Sequence, residues 1–232
     1  MALSPEVIAK GTGATIENAT KFAPYLNRYM NKYGINTAER AMMFLAQIGT
    51  ESARLKATEE YASGAAYEGR SDLGNTQQGD GVRFKGRGLI QITGRANYQK
   101  VKDSLGWDVV NNPRLLEQPD KATEVSAWWY SQRKRDGKTL NEWADLMKPN
   151  QSVNEGNNAY VFEQITRAIN GGVNGLESRK EKYENAQSFY AEFKRALGSW
   201  LGKWWAIPVV VITIGTSLYF IVKQIKKKKN EK

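Results

Sequence analysis

Four glutamates, Glu51, Glu59, Glu60 and Glu68, lie along one short stretch of this chain. Paired carboxyl groups are the simplest machinery for moving protons on and off a substrate. They gain weight by exclusion. The 232 residues include no cysteine and no histidine, which removes thiolate nucleophiles, imidazole acid and base chemistry, Ser-His-Asp and Cys-His triads, and thiolate or imidazole zinc sites. Carboxylates remain as the main polar chemistry, with Lys, Tyr, Ser and Thr behind them.

Glu51 stands seven positions after Phe44 and three after Ile48, so on a helix of 3.6 residues per turn it falls on or near an apolar stripe. Burial of a carboxyl favours its protonated form, the form a general acid needs. The alternative is a helix that ends near Gly49 and leaves Glu51 in water. Glu59 and Glu60 follow, and Glu68 sits in "YEGR". A second carboxylate across a cleft would activate water, as in the two-acid cleavage of glycosidic bonds. Taken singly, any of these acids also fits an ordinary surface charge.

A second run, "GRGLIQITGRANY" from Gly86 to Tyr98, mixes glycines, β-branched residues and spaced amides and hydroxyls. Gln91 and Thr93 alternate with Leu89, Ile90 and Ile92, which predicts a short strand with one polar face. Gly86 and Gly88 admit a close approach to the backbone, and amide and hydroxyl groups suit a neutral, hydroxyl-rich ligand such as a sugar. An ordinary strand and turn would read the same way. The run lacks the Gly-Lys-Ser/Thr ending of a phosphate loop and the three-glycine spacing of a dinucleotide site.

The elements that must carry these residues are predominantly helical. "NTAERAMMFLAQIGTES" opens with Asn36 as candidate N-cap and Glu39 three residues on, a capping-box pattern, followed by the stripe Ala41, Phe44, Leu45 and Ile48. Further helices are predicted in "IENATKFAPYLNRYMNKY", "KATEVSAWWYSQR", "FEQITRAING" and "LESRKEKYENAQSFYAEFKRAL". The segment "ASGAAYEGRSDLGNTQQGDGVRFKGRG" predicts an extended loop, of a length usually tied to function or disorder. "KPNQSVNEGNNA" predicts a plain surface loop.

The end of the chain is different in kind. Trp204 to Val222 is a run of 19 uncharged residues, and at about 1.5 Å per residue it matches the roughly 30 Å hydrocarbon layer of a bilayer. Trp200, Trp204 and Trp205 fit one interface and the lysine run after Val222 fits the other. The net charge is +10, and removing the six lysines and one glutamate of the tail 223–232 leaves 28 basic against 23 acidic residues, or +5, for the rest. A single-pass protein is expected, with the tail cytoplasmic or interior and the body on the periplasmic or outer side. The N-terminus lacks the pattern of a signal peptide. The positive-inside pattern accounts for the basic tail, so nucleic acid is not the expected partner; a mildly basic body suits an anionic polymer such as a bacterial cell wall.

Together these motifs, with "FLAQIGTES", "EEYASG", "SAWWY" and "ITRAINGGVNGLESRKEKYENA" in order around them, resemble the chitinases of glycoside hydrolase family 19, and more closely the bacteriophage endolysins similar to them. The match runs from about Ala38 to Tyr190. The resemblance implies a mainly α, two-lobed, lysozyme-like domain with a central cleft, here over residues 1–198, followed by a transmembrane helix at 199–222 and a basic tail at 223–232. It implies inverting hydrolysis of β-1,4 bonds between amino sugars, with no cofactor and no metal. Glu51 would be the general acid, Glu60 the base and Thr93 the residue that holds the water. Gln91, Asn97 and Asn170 would bind sugar, and Arg179 would support the acid or the substrate. Glu59 and Glu68 are the alternative second acids. The sequence departs from the family's pattern at Thr50, where relatives carry histidine, and at Ser52-Ala53-Arg54, where relatives often show Ser-Gly-Gly.

The expected substrate is peptidoglycan, cut between N-acetylmuramic acid and N-acetylglucosamine, for phage lysis or wall penetration. Chitin is less expected, since secreted chitinases of this family tend to carry cysteines that this chain lacks. The expected partners are glycan strands, the bilayer through Trp204 to Val222, and other virion membrane or capsid proteins. The alternatives are a lytic transglycosylase, or an inactive wall-binding or scaffolding module.

Overall fold

A computed structural model of the chain describes residues 2–149 and 151–197. The expected membrane helix Trp204 to Val222 and the basic tail lie outside the described residues. Among the described residues no helix is long and apolar enough to cross a membrane.

The architecture is mainly helical, as the apolar periodicity predicts. Nine α-helices are described: α1 Pro5–Thr12, α2 Ile16–Lys32, α3 Ala38–Glu51, α4 Asp80–Arg83, α5 Arg95–Leu105, α6 Pro119–Gln132, α7 Leu140–Ala144, α8 Gly156–Asn170 and α9 Leu176–Gln187. Residues 190–197 continue in helical form after a turn at Ser188 and Phe189. Among the described residues the one regular sheet is a two-stranded hairpin, β1 Lys134–Arg135 with β2 Lys138–Thr139. Its turn residues Asp136 and Gly137 both have positive φ, the backbone that a tight two-residue hairpin requires.

α3 is the axis of the molecule. Every residue from Ala41 to Gly49 is buried, and a helical run that is apolar but for one residue has to be enclosed by others. α1, α7 and α9 pack against it, and Phe44 meets Tyr130 of α6 edge-on at 5.1 Å between ring centres. Gly49 lets α1 come closest, because a Cβ there would lie 2.4 Å from the Thr12 carbonyl oxygen. α2 lies along α6, tied by Tyr29 Oη donating to Asp120 and Lys32 Nζ to Glu124.

The N-terminus of α3 differs from the predicted capping box. Thr37 is the N-cap, its hydroxyl accepting from Arg40 N, so Glu39 falls at the second helical position and cannot reach back to close the box. Glu39 instead accepts from Tyr190 Oη. At the other end the helix runs through Glu51 rather than stopping at Gly49. It is then reversed by three consecutive non-glycine residues in the left-handed region, Ala53, Arg54 and Leu55, with φ of 49°, 66° and 60°.

Three regions correct the sequence reading. The predicted extended loop from residue 62 to 88 is compact: short 3-10 turns at Ala65–Tyr67 and Ser71–Leu73 lead into α4. Side-chain hydrogen bonds hold it. Arg95 reaches buried Asp80 and also Gln77, and Asn75, fully buried, donates to Tyr67 O and accepts from Arg95 N. The predicted strand in "GLIQIT" is a tight turn instead. Arg87 and Ile92 exchange both backbone bonds, while Gly88 and Gln91 take positive φ of 79° and 59°. Leu89, Ile90 and Ile92 are all buried, so apolar residues point inward from successive positions and no two-residue alternation exists. Farther on, "KPNQSVNEGNNA" is a loop only to Glu155, since α8 begins at Gly156. Asn158 is buried within it and bonds Lys148 and Gln151.

Candidate active site

Two clusters of sequence-selected residues form on either side of the left-handed reversal. The first stands at the C-terminal end of α3. Glu51 keeps 18% of its side chain exposed and pairs with the guanidinium of Arg179 from α9, itself almost fully buried. Arg179 also donates to Gln47 Oε1 at 2.7 Å, and Gln47, one turn before Glu51 on α3, is fully buried. A carboxylate held by a buried guanidinium that is itself held by an amide has little freedom to change its aim. Gln47 was not picked out from the sequence. Its signal was present, since it is the one polar residue inside the buried run of α3.

The second cluster is built by backbone pairing. Residues 58–60 run antiparallel to 86–88, through Gly88 N to Thr58 O and Glu60 N to Gly86 O, each 2.9 Å, and Arg87 pairs in turn with Ile92. This short ladder brings Glu60, Gln91 and Thr93 around Gly86. A Cβ at Gly86 would stand 2.8 Å from Gln91 Oε1, 3.1 Å from Glu60 Oε2 and 3.3 Å from Thr93 Oγ1, so the glycine is what permits the convergence. Tyr67, another residue not selected from the sequence, donates its hydroxyl to Glu60 Oε2 at 3.0 Å. Burial first, and the Glu60 carboxylate second, push the Tyr67 phenol above its ordinary value, so it remains a donor through neutral pH. Glu60 Oε1 is buried and has no hydrogen-bond partner among the described residues.

The other two acids are occupied. Glu59 is bound by Arg87 at 2.9 Å and Lys85 at 3.2 Å, and Arg87 is buried with further bonds to Glu117, Arg83 O and Tyr98 Oη. Glu68 accepts from the backbone N–H groups of Gly79 and Gly81, which ties it to the start of α4. Both oxygens of Glu68 are engaged in this way, and Glu59 is held through Oε1 by its two cations.

The polar side chains expose specific free atoms. Thr93 Oγ1 donates to Gln91 O at 3.0 Å, so its lone pairs are left to accept from water. Gln91 Nε2 donates to Gly88 O, which turns its amide oxygen toward Gly86. Asn97 Nδ2 donates to Thr93 O at 2.8 Å, linking α5 to the same cluster. Asn170 stands apart from these: its amide closes the turn after α8, donating to Asn174 O and accepting from Gly172 N. Thr50, at the position of departure, hydrogen-bonds back to Ala46 O, with its methyl 3.2 Å from where a Cβ on Gly175 would stand. Among the described residues no group of His, Cys, Asp or Glu is arranged to hold a metal ion.

Comparison with known proteins bears on the family and the fold. The chitinase class I family, glycoside hydrolase family 19, matches residues 30–204. A glycosyl hydrolase family 19 domain-containing protein of Haemophilus influenzae is 32% identical over 124 residues, covering 53% of this chain and 51% of that protein. Acidic endochitinase Q of Nicotiana tabacum is 28% identical over 117 residues, covering 48% and 45%. The chain thus spans about half the length of these curated relatives. Among solved structures, a bacterial family 19 chitinase superposes with a TM-score of 0.56 at 20% identity, over 82% of this chain and 95% of that one. Chitinase C from Streptomyces griseus gives 0.50 at 20% identity, over 84% and 76%. These two likenesses establish the fold, and the family match establishes kinship: the chain belongs to glycoside hydrolase family 19.

Proposed function

We propose that this chain is a peptidoglycan hydrolase that cleaves the β-1,4 bond between N-acetylmuramic acid and N-acetylglucosamine with inversion, using Glu51 as acid and Glu60 as base. The observation that carries the reading is the contrast among the four acids. Glu59 and Glu68 are tied into the framework, whereas Glu60 brings Oε2 to Gly86 together with Gln91 and Thr93 and keeps Oε1 buried without a partner among the described residues.

In this reading Glu51 gives its proton to the leaving glycosidic oxygen as the bond breaks, and Arg179 neutralises the carboxylate left behind. Water, accepting no proton itself, loses one to Glu60 while its oxygen attacks the anomeric carbon from the opposite face. Thr93 accepts a hydrogen bond from that water and Tyr67 holds the carboxylate in position. Gln91 and Asn97 offer amide oxygens to hydroxyl and N–H groups of the sugar, and Asn170 contributes from the turn after α8. The residues 204–222 span a bilayer, with the body on the periplasmic or outer face, and the protein serves a phage in lysis or in wall penetration.

The decisive measurement is mass spectrometry of purified peptidoglycan after digestion. Reducing-end disaccharides from the wild type, with a loss of about 100- to 10,000-fold in Glu51→Gln, support the reading; 1,6-anhydro products would replace it with a transglycosylase. Chitin is the second reading, favoured by the endochitinase names of the plant relatives. Faster cleavage of chitin oligosaccharides than of peptidoglycan would select it.

A further inference from the structure

A groove of about 340 Å³ opens between α5 and α6, and its lining is unlike the clusters around Glu51 and Glu60. Asn97 and Lys100 face it from α5, and Trp128, Trp129, Gln132 and Arg133 from the end of α6. It contains two half-buried indoles, two amides and two cations, and no carboxylate. Lys100 makes no hydrogen bond or ion pair with any described residue. Arg133 stacks its guanidinium over Trp129 at 5.1 Å and spends only Nε on Ala168 O, so its terminal N–H groups remain available. The end of α6 adds a partial negative charge of about one half, which two full positive charges outweigh.

We infer that this groove binds the acidic substituent of an N-acetylated sugar, and that Lys100 and Arg133 make the protein prefer a carboxylate-bearing glycan over a neutral one. The indole faces suit a sugar ring, the amides suit an N-acetyl group, and a pair of cations without a counter-ion suits a carboxylate. Asn97 joins the groove to the catalytic cluster, because its amide is hydrogen-bonded to Thr93 O. The inference rests on the peptidoglycan reading and deepens it, since the lactyl ether of N-acetylmuramic acid carries the carboxylate that chitin lacks. It assigns the choice between the two polymers to a site outside the acid pair.

The test uses the full-length chain in detergent micelles, titrated separately with N-acetylmuramic acid and N-acetylglucosamine while the indole N–H signals of Trp128 and Trp129 are followed by NMR. The acidic sugar is expected to bind at least about 5-fold more tightly at low salt, the gain typical of one exposed ion pair, and the preference should fade as salt is raised. Lys100→Gln and Arg133→Gln should each reduce the preference about 3- to 5-fold, and Lys100→Arg should retain it. Equal affinity for the two sugars, no shift of either indole, or an unchanged preference in the double variant would overturn the inference. Cleavage assays on peptidoglycan and chitin oligosaccharides run alongside keep the two ideas separate. A wild type that prefers the acidic sugar but cuts neither polymer removes the proposed activity and leaves the groove assignment standing.

Discussion

Glu59 and Glu60 are neighbours in the chain with opposite surroundings. Glu59 faces Arg87 and Lys85, while Glu60 faces Tyr67, Gly86 and Thr93. Their substitutions should therefore separate activity from stability. Glu60→Gln is expected to lower the rate of glycan cleavage about 100-fold or more with little change in melting temperature. Glu59→Gln should leave the buried Arg87 short of a partner and cost about 2 kcal/mol of stability, with a much smaller effect on rate per folded molecule; activity assays beside thermal unfolding check both. Gly86 makes a sharper probe, because a methyl group there would meet Gln91, Glu60 and Thr93 together. Gly86→Ala should reduce cleavage about 10- to 100-fold through displacement of those groups, and an unaltered rate would place the chemistry elsewhere. Thr93→Val should cost about 10- to 1,000-fold if its hydroxyl orients water.

At the scale of elements, the reversal after α3 carries strain that the sequence makes visible. Ala53 and Arg54 occupy left-handed backbone, which costs a residue with a Cβ about 1 kcal/mol more than glycine. These are the positions where the family resemblance leads one to expect glycine, so the departure noted in the sequence has a physical consequence. Arg54→Gly should stabilise the fold by about 1 kcal/mol, measured as a shift in the urea midpoint; destabilisation would mean that the arginine side chain offsets the strain through contacts of its own. The 62–88 segment supplies a second element-level test. Arg95 beside Asp80 holds the Asp80 carboxyl below its ordinary value. A depressed folded value means that the stabilisation is fully present above the unfolded value of about 3.9 and is lost as pH falls through the folded value. The stability gap between wild type and Asp80→Asn, about 2 kcal/mol at neutral pH, should therefore close below about pH 4.

For the whole molecule, the described body has its own core around α3 and all of the candidate catalytic residues. Removal of 204–232 is expected to release an active, folded protein from the membrane fraction, followed by fractionation and by circular dichroism of the product. An unfolded product would instead make the apolar run part of the core.

Some of this was legible in the sequence for direct physical reasons. The runs read as helical located α2, α3, α6, the later part of α8 and α9, and in α3 the apolar stripe gives the reason, because a helix must bury one face. The absence of histidine and cysteine narrowed the chemistry to acids. The family resemblance named Glu51, Glu60, Thr93, Gln91 and Arg179, and the fold brings Glu51 to Arg179 and Glu60 to Gln91 and Thr93. Local pattern failed where the backbone departs from regular periods. The "GLIQIT" turn mimicked a strand because both forms bury β-branched residues, and only the pairing of Arg87 with Glu59 and Ile92 decides between them. Asn36 and Thr37 are both good caps, and only the geometry of the chain entering α3 chooses Thr37. Four acids in one stretch are equivalent as letters; which of them has a buried oxygen to spare depends on which cations and backbone N–H groups fold against the others, a matter of long-range contact that tertiary structure alone settles.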